Sequence, residues 1–263
     1  MIADVMPGGS LGGPFLCAAG TLTYVTEADG TRRLSAVSAV TGVNFNSSIA
    51  IDYLALDRFR TDINGFGGPT LEPADKRTPL AGVRYDYFRK ASELEIYRTG
   101  KDILFATMGR LSGDWVPDAI CFYAAGPPAK NLPTSNGWWF YGLADGLALR
   151  GGKTERLFGS DMRADYDAAK RELSIRIMLR GRDQPFGDFA SRPATDITVA
   201  TARVTLNSGG GGSATLTGAD GSTGTISGRL FGNLGIGLGF VFELNYPNGD
   251  RIFGAIAGDM NLI

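Results

Sequence analysis

From Trp138 onward the chain repeats one pattern eight times: a short run of alternating or β-branched residues, then a cluster of turn residues. A period of two sends successive side chains to opposite faces of a strand, whereas a helix needs a period near 3.6. The strands expected from this pattern cover 139–143, 161–166, 173–179, 198–206, 214–217, 225–230, 239–244 and 251–257. The punctuation is Ala144-Asp145-Gly146, 167–170, the glycine run 207–212, Ala219-Asp220-Gly221 and Pro247-Asn248-Gly249-Asp250. Asp-Gly and Asn-Gly tolerate positive φ and mark hairpins. Eight antiparallel strands joined by short hairpins close into an up-and-down barrel, which removes exposed sheet edges. Such a barrel is narrow enough for side chains to fill it. Leu173, Ile175, Ile177 and Leu179 share one face of their strand, as do Phe240, Phe242 and Leu244. Both sets read as core.

The first half is less regular. Strands are expected at 21–26, 48–53, 83–88, 93–97, 104–108 and 120–123, with one helical turn at 54–60 and a long loop at 61–79. The polar, proline-rich stretch 126–136 reads as a linker. The expected fold is therefore all-β: an N-terminal irregular β domain over 1–126, a linker over 127–137, and an eight-stranded antiparallel barrel over 138–263.

Composition removes several functions. There is no histidine, so Ser-His-Asp and Cys-His nucleophiles and imidazole ligands for zinc or haem are absent. Net charge is −1 with no basic stripe, which leaves a nucleic-acid backbone no docking surface. No run approaches the ~20 apolar residues of a spanning helix, and Met1 to Ser10 lacks the regions of a secretion signal. Cys17 and Cys121 are either two free thiols or one disulfide; a bridge would point to an oxidising compartment.

Three motif fragments fail on spacing. Gly151-Gly152-Lys153-Thr154 imitates the end of a phosphate loop, but Leu147 stands where glycine is required. Gly235-Ile236-Gly237-Leu238-Gly239 lacks the dinucleotide spacing and leads into a strand. Asp161, Asp165 and Asp167 lack the distal glutamate of a calcium loop. Large aromatics outside clear alternation are candidate contacts, because such residues anchor interfaces. These are Phe66, Tyr85, Tyr87 and Trp115; Trp138 and Trp139 are candidates for holding a small ligand between the domains.

The junction and barrel together resemble a known family. Phe122-Tyr123-Ala124-Ala125-Gly126 followed by 132–146, with Gly142 and Gly146 after Tyr141, looks like the barrel-opening run of transferrin-binding protein B-like lipoproteins. Asp161 to Tyr166 and Leu173-Ser174-Ile175 resemble the next two strands, and 224–232 and 252–258 resemble the closing strands. The resemblance implies an N-terminal "handle" domain and a barrel. It also implies export in a Gram-negative bacterium to the cell surface or outer membrane, or release. The implied role is capture of a host or environmental protein or small ligand through handle loops. A TonB-dependent outer-membrane receptor is the implied onward partner, and no enzymatic activity is implied. No cofactor is expected; haem is disfavoured without histidine. Pro14-Phe15-Leu16 before Cys17 lacks the small residues of a lipidation site, so any anchoring cysteine lies upstream. The alternatives are a small-molecule carrier and a carboxylate-dependent enzyme.

Overall fold

The computed structural model describes residues 10–14, 16–26, 28, 32–40, 48–55, 58–63, 70–77, 86–90, 94–98, 107–112, 119–126, 128–183 and 193–262. Side chains are described for 28, 70–74, 76, 120–126, 128–183 and 193–260. Phe66, Tyr85 and Trp115 lie outside the described residues.

The N-terminal part holds β1 (Ser10–Pro14), β2 (Leu16–Thr26), β3 (Arg32–Val40), β4 (Ser48–Ala55), β5 (Arg58–Ile63), β6 (Thr70–Leu71), β7 (Lys76–Arg77), β8 (Asp86–Lys90), β9 (Leu94–Arg98), β10 (Thr107–Ser112) and β11 (Ala119–Ala125). They form a four-stranded sheet, β1-β4-β5-β6, and a seven-stranded sheet, β3-β2-β11-β10-β9-β8-β7. The helical turn expected at 54–60 is not there: Leu54 and Ala55 end β4, and Arg58 starts the antiparallel partner β5. Within the loop expected at 61–79, residues 61–63 complete β5, and 70–77 form β6, a 3₁₀ turn at Pro73–Asp75 and β7.

The barrel comprises β12 (Trp138–Arg150), β13 (Lys153–Arg156), β14 (Ser160–Asp167), β15 (Glu172–Arg182), β16 (Ala194–Thr205), β17 (Gly211–Gly218), β18 (Thr223–Phe231), β19 (Gly237–Asn245) and β20 (Arg251–Leu262). All eight expected strands are present, and pairing of β12 with β20 closes the ring. The ninth strand, β13, is a break in one stave. Residues Leu147 to Arg150 of β12 pair with β13, and Trp138 to Ala144 pair with β14. Ala144-Asp145-Gly146 is not a turn but the buried middle of β12. Its sequence has hairpin chemistry, yet Asp145 spends its carboxylate on a buried arginine and Gly146 lies directly opposite Gly254 of β20. Tertiary partners override the local preference.

The interior is filled. Phe140, Ala144, Ala148, Met162, Ala164, Leu173, Ile175, Ile177, Leu179, Leu216, Ile226, Phe240, Phe242, Leu244, Ile252 and Ile256 form one buried cluster. Alternation explains it: on β15 the odd-numbered apolar residues point in, while Ser174 and Arg176 point out and are exposed. One ladder is short. Strands β16 and β17 share only the pairs Ala200↔Gly218 and Thr201↔Thr217, and this seam ends at the turn, where the Asn207 amide donates to the Gly211 carbonyl at 2.8 Å.

Candidate functional site

A filled barrel leaves its outer surface and its two ends for binding. One flank is occupied. On β12 the outward residues Leu143, Asp145 and Leu147 are buried, as are Phe253, Ala255 and Ala257 of β20. The covering element is β11, which packs on β19 and β20 and whose residues Ile120 to Ala125 are all buried. The rings of Phe122 and Phe253 meet edge to face, with centroids 5.9 Å apart. Arg156 lies 5.1 Å from the Phe122 centroid while bonding to Asp145. Among the described residues no helix is long and apolar enough to cross a membrane, and no cluster of three potential metal ligands occurs.

The segment expected as a linker is seated across one barrel end. Pro128 bridges Phe231, the Ala129 amide donates to the Leu230 carbonyl at 3.1 Å, and the Asn131 amide donates to Asn233 at 3.1 Å. Asn136 accepts from the Ala168 amide at 2.7 Å. Ala129 and Leu132 pack on the barrel core. Two glycines make room. At Gly210 (φ 75°) a Cβ would sit 3.1 Å from Leu132 Cδ2, and at Gly235 (φ 66°) it would sit 3.3 Å from both the Asn131 carbonyl and Pro133 Cδ. Both positions combine positive φ with close approach, so only glycine fits without strain. This segment is better called a strap.

A cleft of about 450 Å³ lies between the strap and the barrel end. The strap contributes Lys130, Asn131, Leu132, Pro133 and Thr134. Strand β14 contributes Tyr166, the β14–β15 turn Ala168 and Arg171, and the β16–β17 turn Ser208. Tyr166 is buried, and its hydroxyl has no hydrogen-bond partner. Burial pushes its phenol above the ordinary range, with Arg171 pulling the other way. The nearby Asp167 carboxylate is engaged elsewhere: Lys170 Nζ stands 3.1 Å from it and the Lys170 amide donates to it, holding its pKa below the usual range. A second concavity, about 480 Å³, runs along the β16–β17 seam past Arg176, Thr201, Arg203 and Thr215.

Strand alternation separates the two tryptophans. Trp138 points toward the barrel end, packs on the core and donates its indole N–H to Ser135 Oγ of the strap at 2.8 Å. Trp139 points outward beneath the Arg163 guanidinium, 5.2 Å from its ring. The two therefore do not share one pocket. Tyr87 lies on β8 opposite Arg77 and Tyr97. The strap cleft escaped sequence reading because its walls come from three separated segments, each of which reads as an ordinary turn or linker. One signal was available: Arg171 closes a tight hairpin where glycine or asparagine is usual. Cys121 is disulfide-bonded, and the only other cysteine, Cys17, stands on the adjacent strand β2 opposite Tyr123.

Two β sheets joined by a strap to a closed eight-stave barrel define a handle-plus-barrel fold. That fold is the one seen in transferrin-binding protein B. A variant of that protein from Haemophilus parasuis Hp5 superposes with a TM-score of 0.52 at 14% identity, over 94% of this chain and 45% of the other. The isotype 1 protein from serogroup B Neisseria meningitidis gives 0.51 at 11% identity, over 94% and 44%. The chain thus spans less than half the length of these structures, and at such identities the likeness is one of fold. No family model and no curated protein matches the sequence.

Proposed function

We propose that the chain is an exported binding protein of the cell surface, which captures a protein partner through its N-terminal sheets and does not catalyse a reaction. The observation that carries this reading is the fold, shared over 94% of the chain with proteins named for binding transferrin. The packed barrel supports it, since a filled interior suits a platform better than a container. The expected contacts are the aromatic positions Phe66, Tyr85, Tyr87 and Trp115 and the loop 61–79. Residues 1–126 act as the binding domain, 127–137 as the strap and 138–263 as the platform. An outer-membrane receptor of the TonB-dependent type is the proposed recipient of the captured cargo. We also assign the partner of Cys121 as Cys17, consistent with folding outside the reducing cytoplasm.

The test is direct binding of the immobilised chain to transferrin and to other iron-carrying host proteins. Capture by the intact chain, lost on deletion of 61–79, is the expected result. Equal capture by residues 138–263 alone would move the site to the barrel and overturn the proposal.

A further inference from the structure

We propose that the cleft between the strap and the barrel end binds a small oxyanion, a carboxylate- or phosphate-bearing molecule, between Lys130 and Arg171 and above Tyr166. This site is separate from partner capture by the N-terminal sheets and does not depend on it.

Four observations converge. First, the cleft has the size of a small-molecule site, about 450 Å³ against a usual range of roughly 300–1,000 Å³. Second, its lining is electrostatically one-sided: it carries two cations and, among the described residues, no carboxylate. The carboxylate of Asp167, on the same turn, is held by Lys170 and lies outside the lining, although its charge still reaches Tyr166. Third, the Tyr166 hydroxyl is buried without a partner. A buried donor left unmade destabilises the fold, and native structures rarely tolerate one without a reason. Fourth, Arg171 is the only non-glycine described residue with positive φ, at 51°. It follows the 167–170 turn at a position where glycine would be relaxed. A long cationic side chain held in that conformation is a local cost for stability, and such outliers collect at ligand sites.

The chemistry that satisfies these four together is an oxyanion. The Lys130 ammonium and the Arg171 guanidinium are donors only, and each pairs with carboxylate or phosphate oxygens. The Tyr166 O–H, closed to solvent beneath the cleft, is the neutral donor that a bound oxyanion would uncover on the barrel side. Leu132, Pro133 and Ala168 form an apolar wall for the rest of a small ligand.

The experiment is calorimetric titration of the intact chain with inorganic phosphate and, separately, with citrate. Chloride at matched ionic strength is the control. Saturable binding of either anion beyond chloride is expected, and the stronger of the two identifies the preferred group. Arg171→Gly removes the guanidinium but suits the backbone, so it should keep or raise Tm while weakening binding about tenfold or more. Tyr166→Phe removes the unpartnered hydroxyl and should leave Tm unchanged or higher, with binding weakened several-fold. No saturable binding of either anion, or unchanged affinity in both variants, would overturn the proposal.

Discussion

Both carboxylate oxygens of Asp145 accept from one guanidinium, Arg156 Nε at 2.6 Å and Nη2 at 2.5 Å, and both residues are buried. Neither sits inside the barrel. They lie between its outer wall and β11, with Phe122 against the guanidinium. Removing one partner of a buried ion pair is strongly destabilising. Asp145→Ala should therefore destabilise the chain by about 3–5 kcal/mol in urea unfolding. A loss below about 1 kcal/mol would contradict this account.

The bridge assigned to Cys17 and Cys121 closes a loop of roughly a hundred residues, worth about 4–5 kcal/mol on the chain-entropy model. Alkylation without reductant should leave both thiols unmodified, as mass spectrometry would show. Cys121→Ala should lower Tm by several degrees. Unchanged melting under reducing conditions would mean that the bridge contributes little.

Tyr246 donates to Asp220 Oδ2 at 2.8 Å, and Ser222 Oγ donates to the other oxygen at 2.7 Å. Burial, and then the Asp220 carboxylate, push the Tyr246 phenol up to about 12. A folded-state pKa above the unfolded value of about 10 means that folding retains the proton. The stability is then fully present below pH 10 and lost as pH rises through 12. For this partly exposed group the effect is on the order of 1 kcal/mol after screening. Tyr246→Phe should flatten the decline in Tm between pH 10 and 12 relative to the parent. A decline of identical slope in both proteins would count against the linkage.

The strap depends on Gly210 and Gly235. Alanine at either position meets positive φ and a neighbour already at 3.1–3.3 Å. Each substitution should destabilise by about 1–2 kcal/mol and make the bonds between 128 and 137 more susceptible to limited proteolysis. Unchanged proteolysis of the strap in both variants would show that these glycines do not hold it.

Hydrogen exchange should be fastest, within the barrel, at the amides that face the β16–β17 seam. Only two register pairs join those strands, against seven between β17 and β18. Protection at the seam equal to that across β17–β18 would refute the reading.

The barrel was legible because most of its strands away from the β11 flank have one dry face and one wet face, so composition alternates along them. Leu173 to Leu179 and Phe240 to Leu244 show this most clearly. The failures have specific causes. Asp145-Gly146 carries turn chemistry that a buried arginine and an opposing glycine override. Strand β13 is only four residues long and follows Gly151-Gly152. Of the strands expected at 83–88 and 104–108, the described residues 86–88 and 107–108 open β8 and β10, which run on to Lys90 and Ser112; 83–85 and 104–106 lie outside the described residues. Strand β3 carries several small alanines and serines and gave no strong signal, although it pairs along most of β2. The strap cleft was invisible for a different reason. It is made by chain segments that meet only once the barrel has closed.

That closure has a consequence for how the chain folds. The ring is locked by twelve register pairs between the first barrel strand and the last, from Trp138↔Leu262 to Leu149↔Arg251. More than a hundred residues separate the partners, so the lock belongs to the slow, non-local class of contacts. The strand that completes it, β20, follows every other barrel strand in the chain. Until it pairs with β12 the cylinder stays an open sheet, and residues 251–262 act as its latch.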